Sequence, residues 1–357
     1  MFVGLSEPYL TAMASIWLVL LVAAATFIKL RPRIVRQPLL VVALRAFLAA
    51  WTATFVLVAL ETGFVLLYDA TDSYNLAKVS QRWYARHVRL NNWGYRDDVN
   101  YTERIPAGRR RITFLGDSFT LGHGVADVEN RFVNRIRKRV DTTAPNHWQV
   151  YLLAQGGLDT RGQLTLLGDL ARRGFATDVL VLVYCLNDVE TLHENNRIIM
   201  GTILLTEPKN WLTRHAYLPN LLYYRLRHFG RPEVVGYFDW LADAYRGEIW
   251  TRQQAQLDAV RQWCRENRCD LVVVVFPFLH QLDADYPFAQ AHRALGEYFS
   301  LHGVPYLDLL ETMMNHRAEG LVVNRFDAHP NERAHALAAD AIWRGLLADR
   351  ASEAMAP

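Results

Sequence analysis

The stretch Ile112-Thr113-Phe114-Leu115-Gly116-Asp117-Ser118-Phe119-Thr120 decides how this chain is read, and Leu121-Gly122-His123-Gly124 continues it. A short apolar run ends in Gly and Asp, which is the pattern of a buried strand entering a tight turn. Ser118 is then presented at the carboxyl end of the strand. A hydroxyl there acts as a nucleophile only with a histidine to take its proton and donors to hold the oxyanion. Two later stretches offer such groups: Asn187-Asp188 after another apolar run, and Asp327-Ala328-His329-Pro330-Asn331 near the end.

Working outward, five apolar runs read as strands, at residues 111–115, 148–153, 179–184, 271–276 and 304–307. Amphipathic stretches at 130–140, 161–173 and 254–267 separate them, with apolar residues at helical spacing such as Phe132, Val133, Ile136 and Val140. Strands alternating with helices predict an α/β fold, a mostly parallel five-stranded sheet covered on both faces. In such sheets the site lies beyond the carboxyl ends of the strands. Ser118, Asn187 and the His329 loop all fall on that edge or can reach it. Residues 190–250 interrupt the alternation and are rich in Trp, Tyr and Leu, so they should form helices of their own. Their role is open between a substrate wall beside Asn187, a packing insertion and a surface resting on a membrane.

This order of motifs resembles the SGNH/GDSL hydrolase family. The Ser block is Gly116-Asp117-Ser118, the Asn block Tyr184-Cys185-Leu186-Asn187-Asp188 and the His block Asp327-Ala328-His329. The Gly block resembles Ala154-Gln155-Gly156-Gly157-Leu158-Asp159-Thr160, with Gly157 the better match and Gly156 its rival. Three positions depart from the usual pattern. Cys185 stands where the family has Gly, Leu152-Leu153 replaces an Asn, and Asp327 stands two residues before His329, a spacing rarer than three. Asn91-Asn92-Trp93-Gly94-Tyr95-Arg96-Asp97 is similar to a lead-in of bacterial membrane-anchored members. The resemblance covers roughly residues 90–350. It implies a flavodoxin-like three-layer fold and a serine esterase. Ser118 is its nucleophile and His329 its base, oriented by Asp327. The oxyanion is held by the N–H groups of Ser118 and Gly157 and the side chain of Asn187. The implied substrate is a carboxylic ester, such as an O-acetyl group on an envelope glycan, or a lipid. The alternatives are an O-acyltransferase using the same triad with a sugar acceptor, and a catalytically silent glycan-binding subunit. No metal or organic cofactor is implied.

The other histidines read as ordinary. His335 falls in a helical run and should pack or cap, and His123 follows Ser118 closely enough to line the pocket. Asp117 and Asp188 read as turn-shaping residues.

Thirty-nine basic and 36 acidic residues give a net charge of +3, too balanced to argue for nucleic acid. The amino terminus differs from the body. Residues 9–28 form an uncharged apolar run, and residues 46–67 form a second run carrying one charge, Glu61. Each is long enough to cross a bilayer as a helix. Between them lie Lys29, Arg31, Arg33 and Arg36, with Arg45 at the edge of the second run. Nothing basic precedes the first run, so it reads as an uncleaved anchor rather than a signal peptide. The positive-inside tendency places the link in the cytoplasm and the catalytic domain outside it, anchored in the inner membrane. Lys78, Arg82 and Arg86 after the second run weigh against this orientation. A buried helical hairpin of a soluble protein is the competing reading. Glu61 is expected near the outer interface or paired with a polar group of the other helix.

The expected organisation is a membrane anchor at 1–70, a linker and lead-in at 71–105, and the hydrolase domain at 106–350 with its insertion at about 190–250. Cys264 and Cys269 fit either a disulfide in an oxidising space or two free thiols at a helix end and a strand start. Cys185 stays unpaired in both cases.

Overall fold

Five runs of Val, Leu, Ile and Phe become strands because both faces of each are covered, as buried parallel sheets require. In the computed structural model they are β1 (Arg110–Gly116), β2 (Trp148–Ala154), β3 (Val179–Cys185), β4 (Asp270–Phe276) and β5 (Tyr306–Asp308). The structure describes residues 4–34, 38–194, 196, 207–228, 236–282 and 285–353. Arg36 of the basic link and parts of the 190–250 insertion lie outside these.

The strands form one sheet in the order β2-β1-β3-β4-β5, and every pairing in it is parallel. That is the flavodoxin-like order, whose switch point lies between β1 and β3. Ile112 pairs with Val150 on one side and Val179 on the other, which makes β1 an interior strand, beside the central β3. Helix α5 (Phe132–Thr143), after β1, packs with α13 (Glu332–Ile342), after β5. Helix α6 (Thr160–Arg172) packs with α10 (Gly247–Glu266). The apolar residues of α5 predicted to face inward, Phe132, Val133, Ile136 and Val140, are buried.

One strand begins later than the sequence suggests. The 304–307 run starts pairing only at Tyr306. Val304 instead closes the end of helix α11 (Ala289–Leu301), donating its N–H to the Phe299 carbonyl at 3.0 Å. Cys185, Cys264 and Cys269 are all buried free thiols. Cys185 has φ −103° and ψ 148°, an extended conformation open to any residue. The glycine of the resembled pattern is therefore not needed there.

The lead-in residues 91–97 build a turn. Asn91 accepts N–H bonds from Trp93 and Tyr95, and Asn92 exchanges two bonds with the Tyr101 backbone. The turn delivers two buried charges, Arg96 and Asp97, into the domain.

The chain divides into two compact units. One holds the residues up to Arg86 together with 207–228; the other holds the sheet and its helices. In the first unit, α1 (Glu7–Ile34) and α2 (Pro38–Leu67) are long and apolar enough to cross a membrane. Leu18, Val19, Leu57 and Leu60 are each more than half exposed, so these helices do not form the buried hairpin of a soluble core. Trp17 donates to Thr62 and Trp51 to the Leu20 carbonyl, tying the two helices together.

Glu61 does pair with the other helix, accepting the Tyr9 hydroxyl at 2.7 Å. It also accepts the backbone N–H groups of Tyr217 and Leu218, at 2.6 and 2.8 Å. These are the first amides of α8 (Tyr217–His228), which follows α7 (Trp211–His215). The first amides of a helix lack intrahelical acceptors and carry partial positive charge, so a carboxylate satisfies both needs. The 211–228 part of the insertion thus belongs to the helical unit. The part from Tyr237, helix α9 (Tyr237–Asp243), belongs to the sheet domain.

Candidate active site

The site forms where β1 ends. Asp117 accepts the Phe119 N–H at 2.9 Å and so caps α4 (Ser118–Leu121), a single turn of helix. Ser118 is its first residue, where the N–H has no intrahelical acceptor. The turn closes at Gly122, in the left-handed region at φ +73°. A side chain there would also run into Arg131. Arg96 then grips the exit from the turn, donating to the carbonyls of Gly122 and Val125, each at 2.6 Å. Arg131 bonds the Arg96 and Leu121 carbonyls. The loop that carries Ser118 is thereby held by two buried guanidinium groups, one from the lead-in and one from the start of α5.

His329 arrives from the opposite end of the chain. It lies on β7 (Asp327–Pro330), which pairs antiparallel with β6 (Val322–Asn324). Asn331 caps α13 and donates to the Gly320 and Val322 carbonyls, fixing the loop that carries His329. His329 Nε2 lies 2.8 Å from Ser118 Oγ, and Nδ1 lies 2.6 Å from Asp327 Oδ1. Asp327 Oδ1 also accepts the backbone N–H of His329 at 3.2 Å. Two hydrogen bonds accepted by one oxygen explain how a spacing of two serves: a tight local turn points the carboxylate at the ring. Ser118, His329 and Asp327 are at most 8% exposed, so their hydrogen bonds act in a low-dielectric setting.

Asn187 lies in a short 3-10 turn, Leu186–Leu192, directly after β3. Its side chain faces the Asp117 carboxyl, while its Oδ1 is buried without a partner. The turn is held from behind: Tyr184 and Tyr245 share a hydroxyl bond at 2.9 Å, and Tyr245 donates to the Leu186 carbonyl at 2.8 Å. Gly157 stands on the loop after β2, at the same sheet edge, with φ +72°. Gly156 has no such conformation, so the backbone distinguishes the two glycines. Among the described residues, Gly157 N–H has no backbone acceptor.

Burial and charge divide the acids. Burial pushes Asp327 up, but the charge of His329 and the hydrogen bonds from His123 and His329 outweigh it and hold the carboxyl well below the usual range. Burial pushes Asp117 up to about 6, although bonds from Phe119 and Asn187 oppose it. Asp188 is raised by burial and then by the nearby Asp117; it accepts Gln163 Nε2 at 3.1 Å. Asp117 holds a local turn as expected, whereas Asp188 does not bond within its own turn and instead ties it to Gln163 of α6. His335 is fully buried, pushed down to about 3 by burial, and accepts the Phe132 N–H at the start of α5.

Two groups do more than the sequence reading expected: His123, read there only as lining the pocket, and His280, which it did not single out. His123 Nε2 lies 3.2 Å from Asp327 Oδ2. His123, Asp327 and His329 also place ligand atoms within 4.8 Å of one another, the single such group among the described residues. The Asp327 oxygens in it are engaged by the two imidazoles. His280 follows β4 with both ring nitrogens buried and unpartnered, and burial pushes it down to about 4. Phe238 of α9 packs on its ring at 4.2 Å, and Tyr237 donates to Glu190 at 2.6 Å. The later part of the insertion therefore walls the strand ends near Asn187.

No protein-family profile and no curated protein matches the chain. Among solved structures it is similar to a member of the lipolytic protein G-D-S-L family from Veillonella parvula, at 12% identity over 66% of this chain and 98% of that one, with a TM-score of 0.40. TesA is similar at 13% identity, over 67% and 99%, with a TM-score of 0.43. The acetylxylan esterase Axe2 from Geobacillus stearothermophilus is similar at 13%, over 68% and 96%, with a TM-score of 0.42. Likenesses this distant carry no weight for mechanism or substrate.

Proposed function

We propose that this chain is a serine esterase of the SGNH/GDSL type, held at a membrane by α1 and α2. The observation that carries the reading is the unbroken contact line from Asp327 through His329 to Ser118, at 2.6 and 2.8 Å. His329 Nε2 takes the proton of Ser118 as Oγ attacks the ester carbonyl, and Asp327 stabilises the imidazolium that forms. The oxyanion is met by the N–H groups of Ser118 and Gly157 and by the Asn187 amide. His329 returns its proton to the leaving alcohol. A water then attacks the acyl-serine by the same route and releases the acid. An intact line of this kind speaks against a silent binding subunit.

The substrate is an ester outside the cytoplasm, an O-acetylated envelope glycan or a lipid. Two features support the orientation. Lys29, Arg31 and Arg33 sit in the link between the helices. Two of the three cations that counted against it are engaged locally: Arg82 donates to the Val65 and Tyr68 carbonyls, and Arg86 pairs with Asp69 at 3.1 Å. The test is turnover of a short-chain nitrophenyl ester by the full chain in detergent, wild type against Ser118→Ala. Loss of at least about a thousandfold is expected. Unchanged turnover in the variant would remove Ser118 as nucleophile.

A further inference from the structure

We propose that His123 is a positioning residue of the triad, holding Oδ2 of Asp327 so that Oδ1 stays aimed at His329. The inference rests on the esterase reading above and extends it to a residue outside the four blocks.

The geometry is specific. Asp327 Oδ1 is engaged by His329, through both ring and backbone. Oδ2 is engaged by His123 Nε2 at 3.2 Å. A donor on Oδ2 fixes the plane of the carboxylate, and with it the line from Oδ1 to the His329 ring. His123 is 4% exposed and its ring lies on that of His329, with centroids 4.2 Å apart. It donates its backbone N–H to the Ser118 carbonyl at 3.0 Å. One short loop therefore delivers the nucleophile and also grips the acid that orients the base. Ser118 and Asp327 are far apart in sequence, so this grip locks the β1 turn to the β7 loop.

The chemistry gives the contact a measurable signature. A donor on Oδ2 draws charge from the carboxylate and weakens its pull on the His329 proton. Without it, Asp327 binds the imidazolium more strongly and His329 stays protonated to higher pH. The base form is needed for attack, so the acid limb of kcat/KM should move to higher pH. Ser118 and, from α13, His335 also face this pair, with Arg96, Arg131 and Arg135 around His335. His335 is held neutral through the working range by burial, at about 3.

The experiment compares the full chain in detergent with His123→Phe and His123→Gln, and with Ser118→Ala as reference. Phe keeps a ring on His329 and removes the N–H; Gln places an N–H near the same point. In His123→Phe, kcat should fall about tenfold to a hundredfold with KM within about threefold, and the acid limb should rise by about one pH unit. His123→Gln should recover most of the rate and return the limb. Should the Phe variant fail to fold, judged by its thermal midpoint, His123→Met takes its place. Equal behaviour of Gln and Phe would make His123 a packing residue and overturn the proposal, as would an unmoved limb in a folded Phe variant. Turnover that survives Ser118→Ala would overturn the esterase reading itself, which is a separate outcome.

Discussion

Replacing Asp97 by Asn should weaken the fold measurably and loosen the nucleophile loop with it. Asp97 is buried and meets Arg137 at 2.5 and 2.9 Å, Arg131 at 3.5 Å and the Tyr101 hydroxyl. Burial pushes its carboxyl up, but the bonds and charge of Arg137 outweigh this and hold it at about 2, against an ordinary 3.8. That difference alone is worth about 2 kcal/mol at neutral pH. Removing the charge also strands Arg131 and Arg137, and breaking a buried pair from one side costs about 3–5 kcal/mol. The loss should therefore fall between about 2 and 5 kcal/mol, or a drop in thermal midpoint of roughly 5–15 °C for a domain of this size. The pH dependence has a definite sign. A carboxyl with a depressed folded-state pKa contributes fully above 3.8, and the contribution is lost as pH falls toward 2. The gap between wild type and variant should be constant from pH 5 to 8 and close below about 4. Asp117 works the other way, its raised pKa favouring the folded state as pH falls below about 6, but it does so in both proteins and cancels in the difference. Thermal unfolding of both proteins across this range is the assay. A gap under about 0.5 kcal/mol, or one that widens on acidification, would refute the reasoning.

Gly157→Ala should lower kcat by about a hundredfold, because Ala resists the left-handed conformation at φ +72° and its N–H, the proposed oxyanion donor, would turn away, while Gly156→Ala should change kcat less than about threefold. Paired kinetics of the two variants decide between the glycines, and the reverse order would assign the donor to Gly156. Glu61→Gln should release the start of α8, since a neutral amide replaces a carboxylate on two backbone N–H groups. Limited proteolysis should cut near 207–217 several times faster in the variant; equal rates would show that the other contacts of α8 hold it without the charge.

Much of the sheet could be read from residue order because a strand buried on both faces leaves an unbroken apolar run. The 304–307 run misled at its start because Val304 is apolar for another reason, closing the end of α11. The places of Ser118 and Asn187 at strand ends were legible in the sequence, whereas His329 lies within β7 and could be picked out only by its Asp-Ala-His pattern. The part played by His123 was not, since nothing in a sequence shows that its ring meets a carboxylate 204 residues away. Arg96 and Asp97 could be noticed only as a lead-in of familiar pattern; their work, clamping the exit of the α4 turn, depends on burial that composition cannot show. The aromatic insertion looked like one element with competing roles. It divides between the helical unit and the strand ends, because Glu61 takes the amides of α8 while Phe238 and Tyr237 pack beside the Asn187 turn.

The central claim is that His329 makes Ser118 a nucleophile. Treating the full chain with a fluorophosphonate and locating the adduct by peptide mass tests it most directly. The account predicts one adduct, on Ser118, formed at least about a hundredfold more slowly in His329→Ala. An adduct on another residue, or labelling of Ser118 at an unchanged rate without His329, would contradict it.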